Sequence, residues 1–431
     1  MRLSILVFVL FFYLLGCSRD DGNAEQVITD DDIAMTDDDA GGGTDDAPDI
    51  GSGGSQNGNV PCEGGVAAGY PCQGYDLVFH MPLSAFNAAS ANDIWGWTDL
   101  DNNREYAIVG LDNGTAFVDI TDNQNPQYLG KLPTATTSST WRDIKVYGNH
   151  AFIVAEAAGH GMQVFDLTRL RNVANPPETF SADARYTDIG NAHNLVINEA
   201  TGFAYPVGTD RNDAFTGGVH FVDVGDPTSP VGVGGYGAQG YTHDAQVVSY
   251  NGPDADYTGR EIFIGANENQ VVIADITDKD NPTDVAALGY PQLGYTHQGW
   301  FTEDQRYFIL GDELDEVNFG LDSRTLVFDL TDLDAPVLHT TYTGPTGAID
   351  HNGYVLGNLY FLANYTAGIR VLDISQIADK TIVEEGFFDT YPSNNTASFN
   401  GVWSVYPYFA SGKILVNDIN SGLFVIKRSN F

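Results

Sequence analysis

Four of the nine histidines, His193, His243, His297 and His351, recur at intervals of about fifty residues. Each stands at the head of an apolar run of strand length. Imidazole nitrogens bind zinc, copper or iron, and they exchange protons near neutral pH. If the fold gathers these side chains around one axis, they could hold such a metal or act as metal-free acids and bases. Alternatively, each could form the same structural hydrogen bond to a neighbouring carbonyl.

Charged residues near these histidines are the candidate catalytic groups. Asp244 and Asp350 each stand beside one of the histidines, and Glu313 follows the apolar run after another. These carboxylates could orient an imidazole or carry a proton. Arg142 could anchor a carboxylate or sulfate of a ligand, or pair with Asp143. No serine-hydrolase elbow, phosphate-binding loop or dinucleotide fingerprint is present in the sequence.

The elements that carry these side chains form a repeat. Six apolar strands end in Asp followed by another apolar residue, and a seventh strand at 423–427 lacks the Asp. The turn acids are expected to cap backbone N–H groups, with calcium binding as the alternative. Four short strands per unit of about fifty residues predict an all-β fold, a seven-bladed β-propeller. The last unit lacks an outer strand, so we expect the N-terminal strand Tyr75–Met81 to close the ring against residues 423–426.

Tryptophans mark the three repeats that lack a landmark histidine. Trp95, Trp141 and Trp403 stand at or near the corresponding position. In a propeller, the inner strands of all blades begin at one end of the axis, which we term the top face. The tryptophans could stack against a glycan or an aromatic ligand there, or pack between blades.

Several motifs of the repeat resemble those of the choice-of-anchor B proteins, which are built on LVIVD-type repeats. The resemblance runs from about Cys62 to Phe424. It implies a repeat fold and attachment to the bacterial surface, with no settled activity. The motifs include Trp95-Gly96-Trp97-Thr98-Asp99, His160-Gly161-Met162-Gln163, Tyr241-Thr242-His243-Asp244, Tyr295-Thr296-His297-Gln298 and Asp350-His351-Asn352.

The N-terminal region indicates export. Residues 1–17 hold one charge, an apolar run and a Leu-Leu-Gly-Cys17 end that resembles the lipobox of bacterial lipoproteins. Cys17 would then be lipidated; the alternative is an ordinary signal peptide with an incidental Cys. Residues 18–60 are rich in Asp, Gly and Ser, which predicts a disordered acidic linker. The propeller domain is expected at 61–431, and Cys62 and Cys72 are expected to form a disulfide.

The formal net charge of −39 argues against nucleic acid as a partner, because phosphate binding needs clustered Lys and Arg. The sequence therefore predicts a monomeric lipoprotein at the outer membrane or cell surface, which meets the membrane only through its lipid anchor. Its top face would bind a ligand, either a protein or a glycan. The alternative function is a metal-dependent hydrolase or oxidase that uses the ring of histidines.

Overall fold

Seven antiparallel sheets form the blades of a β-propeller in the computed structural model, which describes residues 56–429. Successive apolar residues of the strands point to opposite faces of the sheet. Both faces of a blade can therefore pack against a neighbouring blade. We number the blades along the chain and give their strands from the axis outwards. Blade 1 contains Ala91–Asp99, Arg104–Leu111, Gly114–Asp119 and Gln127–Pro133, and Glu178–Thr179 adds a short parallel strand. Blade 2 contains Arg142–Tyr147, His150–Ala155, Met162–Asp166 and Ala184–Tyr186.

Blades 3 to 5 have four strands each. Blade 3 contains Asn194–Asn198, Phe203–Val207, Val219–Asp223 and Val231–Tyr236. Blade 4 contains Asp244–Ser249, Glu261–Ala266, Val271–Asp275 and Thr283–Leu288. Blade 5 contains Thr296–Phe301, Tyr307–Asp312, Arg324–Asp329 and Val337–Thr343.

Blades 6 and 7 each recruit strands from the N-terminal side of the domain. Blade 6 contains Gly353–Leu356, Leu359–Ala363, Ile369–Gln376 and Thr381–Phe388, followed by Tyr70–Gln73 and Val66–Ala67. Blade 7 contains Val402–Tyr406, Lys413–Asp418 and Gly422–Arg428, followed by Tyr75–Met81 and Gln56–Val60. The expected pairing of Tyr75–Met81 with the end of the chain is present, with Leu423 opposite Met81 and Arg428 opposite Tyr75. That this strand is what closes the ring stays a prediction.

The ordered strands of the propeller begin before the expected linker boundary at residue 60. Gln56–Val60 pairs antiparallel with Tyr75–Met81, although these residues were assigned to the linker. Main-chain hydrogen bonds can add such a strand to a sheet edge without a strong hydrophobic pattern. Val60 also packs against the cluster between blades 6 and 7.

Seven hydrophobic clusters fill the spaces between neighbouring blades, one for each pair. The cluster between blades 7 and 1 joins Leu415 and Val425 to Ala107 and Val118, which are all fully buried. The ring is therefore packed continuously from the first blade to the last.

Helices are short and lie outside the blades. Within residues 56–429 the α-helices are Leu83–Phe86 and Asp315–Phe319, and 3₁₀ turns occur at Leu167–Asn172, Ala255–Tyr257 and Ile377–Asp379. No helix among residues 56–429 is long and apolar enough to cross a membrane.

The turn acids have the structural role that the sequence predicts. In all six repeats, the Asp that ends the third strand accepts a hydrogen bond from the backbone N–H two residues further on. This Asx turn directs the chain from the third strand towards the outer strand. The six acids are Asp119, Asp166, Asp223, Asp275, Asp329 and Asp373.

The predicted disulfide between Cys62 and Cys72 is present, with 6.0 Å between the two Cα atoms. It joins the segment after Gln56–Val60 to Tyr70–Gln73, the added strand of blade 6. Cys17 and the rest of the predicted signal peptide lie outside the described residues.

Candidate functional site

The four landmark histidines lie side by side at the top of the axis. They come from the heads of the inner strands of blades 3 to 6, and at most 5% of each residue is exposed. Neighbouring ring centroids are 4.1 Å apart for His193 and His243, 4.6 Å for His243 and His297, and 4.4 Å for His297 and His351. The predicted convergence is therefore present, as an arc over four consecutive blades that we term the histidine arc.

A local irregularity directs one of these side chains to the axis. His297 lies where the pairing register of blade 5 shifts, between Thr296 opposite Asp312 and Gln298 opposite Gly311. Such a register shift inserts one extra residue into the strand. The insertion bends the strand and changes the direction in which the extra side chain points. Trp403 occupies the same kind of shift in blade 7.

Three members of the arc use the Nδ1 atom to bind a partner away from the axis. These partners belong to three chemical types: a carboxylate, a phenol and a backbone carbonyl. If each histidine made the same structural hydrogen bond to a neighbouring carbonyl, all three partners would be carbonyls. Only one of them is, so the three contacts do not repeat a single structural bond. The pairs are His193 with Glu156 Oε1 at 2.6 Å, His243 with Tyr295 Oη at 3.0 Å, and His351 with the Trp403 carbonyl at 2.5 Å.

Glu313 extends into the arc from the end of the second strand of blade 5. Its two oxygens lie 3.5 Å from the Nε2 atoms of His297 and His351, and Tyr365 Oη donates to Oε1 at 2.7 Å. A distance of 3.5 Å exceeds the usual hydrogen-bond range. It is close to the separation of about 3.3 Å between two ligands of a tetrahedral metal with bonds of 2.0–2.1 Å.

One tight group within the arc has the dimensions of a metal site. The ligand atoms of His243, His297 and Glu313 all lie within 4.8 Å of one another, and all three residues are buried. His297 Nδ1 has no hydrogen-bond partner among residues 56–429, although it is buried. Leaving a buried polar atom unsatisfied costs about 1–3 kcal/mol.

Burial holds three histidines of the arc, His243, His297 and His351, in their neutral form. It lowers the pKa of His351 to about 3, and it lowers the pKa values of His243 and His297 well below 6.5, with further contributions from neighbouring histidines. Neutral imidazole is the form that binds metals, because protonation removes the lone pair. These three histidines are thus ready to coordinate a metal at neutral pH without first releasing protons.

A charged layer lies directly below the arc, on the inner strands of blades 1, 2 and 4. Lys145 Nζ lies 2.7 Å from Asp143 and 3.5 Å from Asp93, and all three residues are buried. The carboxylates also accept the backbone N–H groups of Ile144 and Leu195, which join the inner strands of blades 1, 2 and 3. Asp93 and Lys145 were not predicted as site residues, although the alternation of Asp143, Ile144 and Lys145 places both charges of blade 2 on one face of their strand.

Asp244 belongs to this layer rather than to the arc. Its Oδ1 accepts the N–H of Ala245 at 2.6 Å, and burial raises its pKa to about 6 although the Lys145 ammonium opposes the shift. Asp350 lies elsewhere, because its oxygens accept hydrogen bonds from Ser323 and Thr325. Of the three candidate carboxylates, only Glu313 has its oxygens placed against the imidazoles.

Arg142 does not have the position expected of a ligand anchor. Its guanidinium is buried, donates to the Leu111 carbonyl at 3.0 Å, and lies 3.2 Å from His160 Nε2. Among residues 56–429 it forms no ion pair with Asp143, and its Nη2 atom has no hydrogen-bond partner. Its position in blade 2 turns the side chain towards blade 1 instead of the axis.

The three landmark tryptophans occupy two different levels. Trp403 packs 4.9 Å from His351, and Trp141 contacts the small cluster that contains Trp403 and Tyr365. Trp95 was expected at the head of the inner strand of blade 1. That strand begins at Ala91, so Trp95 lies four residues further along. A register shift between Ala91 and Ile94 leaves Trp95 in mid-strand, opposite Ile108 and below the charged layer.

Tyr295 contacts the histidine arc and was not predicted as a site residue. It precedes His297 by two residues, and its hydroxyl lies 3.0 Å from His243 Nδ1 in the preceding blade. The same hydroxyl lies 3.4 Å from Glu268. The repeated Tyr-Thr-His motif at Tyr241 and Tyr295 is the signal that could have identified it.

Comparisons with known proteins show no match to a protein-family profile and no match to a curated protein. Among solved structures, the chain is similar to the β-propeller domain of Cps50 (Swd1) from Myceliophteria thermophila, at 9% sequence identity and a TM-score of 0.49. The similarity covers 75% of this chain and 94% of that one. The blade count and strand order given above therefore rest on this chain's own strand pairing.

Proposed function

We propose that this protein binds a divalent transition-metal ion in the histidine arc and uses it to hold a ligand at the top face. One observation carries the proposal: His193, His243 and His351 anchor Nδ1 away from the axis, while Glu313 lies against the Nε2 atoms of His297 and His351. Metal-binding histidines usually hold the second ring nitrogen in this way, which fixes the ring and the tautomer.

The donor set favours zinc, copper or iron. Imidazole suits these metals, and one carboxylate beside several imidazoles is a common combination in their sites. His243, His297 and Glu313 supply three donors in the tightest group, with His193 and His351 on either side. Three protein ligands would leave a coordination position for a ligand, whereas a fourth histidine would make the site closed and structural.

Metal analysis tests this proposal directly. Protein purified without a histidine tag should contain close to one ion per chain, and chelated protein should recover it on addition of zinc, copper or iron. His297→Ala and Glu313→Gln should weaken binding at least on the order of tenfold, while the folded structure is kept. His150→Ala, which changes a histidine of blade 2 outside the arc, is the matched control. Failure of chelated wild-type protein to bind any of the three metals would overturn the proposal.

A metal-dependent hydrolase or oxidase is the second candidate. Two partly exposed carboxylates favour it: Glu156 lies 2.6 Å from His193, and Glu268 lies 3.4 Å from the Tyr295 hydroxyl beside His243. Either could accept a proton in such a reaction through the His193 ring or the Tyr295 hydroxyl that it contacts. Ester, lactone and glycan panels assayed with metal-loaded and chelated protein test for turnover. Metal binding without turnover on these substrates would support the ligand-binding function alone.

The location of the protein is part of the same proposal. The lipobox-like end at Cys17 and the acidic segment after it support an exported lipoprotein at the outer membrane or cell surface. The repeat motifs support membership of the choice-of-anchor B proteins. Cys17→Ala should move the protein from the membrane fraction to the soluble fraction of expressing cells, and mass spectrometry should find a lipid on the mature wild-type N-terminus. An unmodified wild-type N-terminus would contradict the anchor.

A further inference from the structure

A second pocket opens on the axis at the end opposite the histidine arc. Its cavity volume is about 130 Å³, and inner strands of blades 1 to 5 line it. The charged layer of Asp93, Asp143 and Lys145 lies between this pocket and the arc, so the two sites are separate.

Two tryptophans form the aromatic walls of the pocket. Trp95 and Trp300 each remain partly exposed, and the Tyr354 ring packs against both, at 5.7 Å and 5.0 Å between centroids. Tyr354 is itself buried, so it holds the two indoles from behind. Rigid aromatic surfaces of this kind bind ligands with little loss of side-chain entropy.

The polar groups of the pocket carry opposite charges at its two ends. Lys145 lines the inner end, where Asp143 holds its ammonium and the Trp95 ring lies 4.7 Å away. Glu199 follows the inner strand of blade 3 and lies at the mouth, where it forms no ion pair with any residue in 56–429. Gln246 lies between them, with its amide fixed because Oε1 accepts the N–H of Phe301.

We propose that this pocket binds a neutral, polyhydroxylated ligand, a sugar ring of a glycan. The C–H face of the ring would stack on Trp95 and Trp300, and its hydroxyls would bind Glu199 and Gln246. A cationic ligand would meet Lys145 at the inner end, and an anionic ligand would meet Glu199 at the mouth. A ligand with many hydroxyls and no charge satisfies donors and acceptors of both kinds.

Calorimetric titration of the full protein with free monosaccharides tests the inference, with glucose, galactose, mannose and N-acetylglucosamine as probes. At least one sugar should bind, and Glu199→Gln should weaken its binding about tenfold because it removes a charged acceptor. Glu303→Gln makes the same charge change after the inner strand of blade 5, outside the pocket, and should leave the affinity unchanged. Trp300→Phe keeps an aromatic ring in the packing but reduces the stacking surface, so it should also weaken binding.

Charged probes and metal removal complete the test. Tetramethylammonium and acetate should bind more weakly than the best sugar, and treatment with a chelator should not change sugar affinity. Absence of binding by all four sugars would overturn the inference, as would tighter binding of tetramethylammonium. Equal sugar affinity in wild-type protein, Glu199→Gln and Trp300→Phe would also overturn it. Loss of sugar binding on metal removal alone would instead assign the ligand to the top face.

Discussion

At the scale of single residues, the repeat period explains why some site residues could be predicted and others could not. Four histidines at equivalent positions must lie at the same end of the axis, so their convergence follows from spacing. The packing of Arg142 against blade 1 could not be predicted, because spacing does not tell whether a side chain faces the axis or the next blade. Trp95 was mispredicted because a register shift in blade 1 adds residues before it, and such shifts leave little trace in the sequence.

His160 should make the stability of the protein depend on pH. Burial and the Arg142 cation lower its pKa to about 4, so the folded protein keeps it neutral. In the unfolded chain, His160 binds a proton near pH 6.5. Its contribution to the free energy of unfolding is therefore complete above that pH and is lost as the pH falls towards 4. Urea unfolding at pH 7.5 and pH 4 should show that wild-type protein loses about 3 kcal/mol more than His160→Gln. The same loss in both proteins would contradict this assignment, and His150→Gln is the control.

Glu156 should act on the proposed metal through His193. Its carboxylate lies 2.6 Å from Nδ1, which makes the opposite nitrogen a better donor. Glu156→Gln keeps the shape but removes the charge, so metal affinity should fall about tenfold in competition titrations. Asp188→Asn makes the same charge change in an exposed loop after blade 2 and should leave affinity unchanged. Unchanged affinity in Glu156→Gln would limit this residue to a packing role.

At the scale of elements, strands were predictable where apolar residues alternate. In blade 5 the sequence pattern predicts strands at 298–301, 307–310, 326–330 and 337–341, and the observed strands agree to within two residues at each end. Gln56–Val60 and Tyr70–Gln73 were missed because they are rich in polar residues, Gly and Pro. They join the sheets through main-chain pairing, which hydrophobic patterns do not report.

The Cys62–Cys72 disulfide should stabilise the attachment of the N-terminal strands. Closing a loop of ten residues reduces the conformational entropy of the unfolded chain, which stabilises the folded protein by about 3 kcal/mol at most. Replacing both cysteines by Ser should lower the free energy of unfolding by up to this amount in urea titrations. Thiol titration of the denatured, unreduced mature protein should find no free thiol. One or more reactive thiols in that experiment would refute the pairing.

At the scale of the whole molecule, the N-terminal segment connects the last two blades. Tyr70–Gln73 adds to blade 6 and Tyr75–Met81 adds to blade 7, so one continuous segment spans both sheets. Tyr75 Oη donates to Glu385 of blade 6 at 2.7 Å, and Arg428 of blade 7 pairs with the same carboxylate. The fold class and blade number could be predicted from the repeat, but this double attachment could not.

Removal of residues up to Pro82 should destabilise the ring. It would uncover the edge of Gly422–Arg428, and unpaired strand edges promote aggregation. The shortened protein should be less soluble and melt at a lower temperature than wild type, as measured by light scattering and calorimetry. Removal of residues 1–55 keeps every described strand and is the control. If both shortened proteins melt like the full chain, closure by the N-terminal strand is wrong.

The place of Tyr75–Met81 in blade 7 also determines when that blade can fold during synthesis. Asp76 and Ser429, which form a hydrogen bond across this sheet, are 353 residues apart in the chain. The ribosome releases Tyr75–Met81 before any blade exists, and its partner Gly422–Arg428 is among the last segments made. Contacts over such distances form slowly. For nearly the whole of translation this apolar strand therefore lacks one of its two neighbours, and it stays prone to aggregation until the final residues emerge.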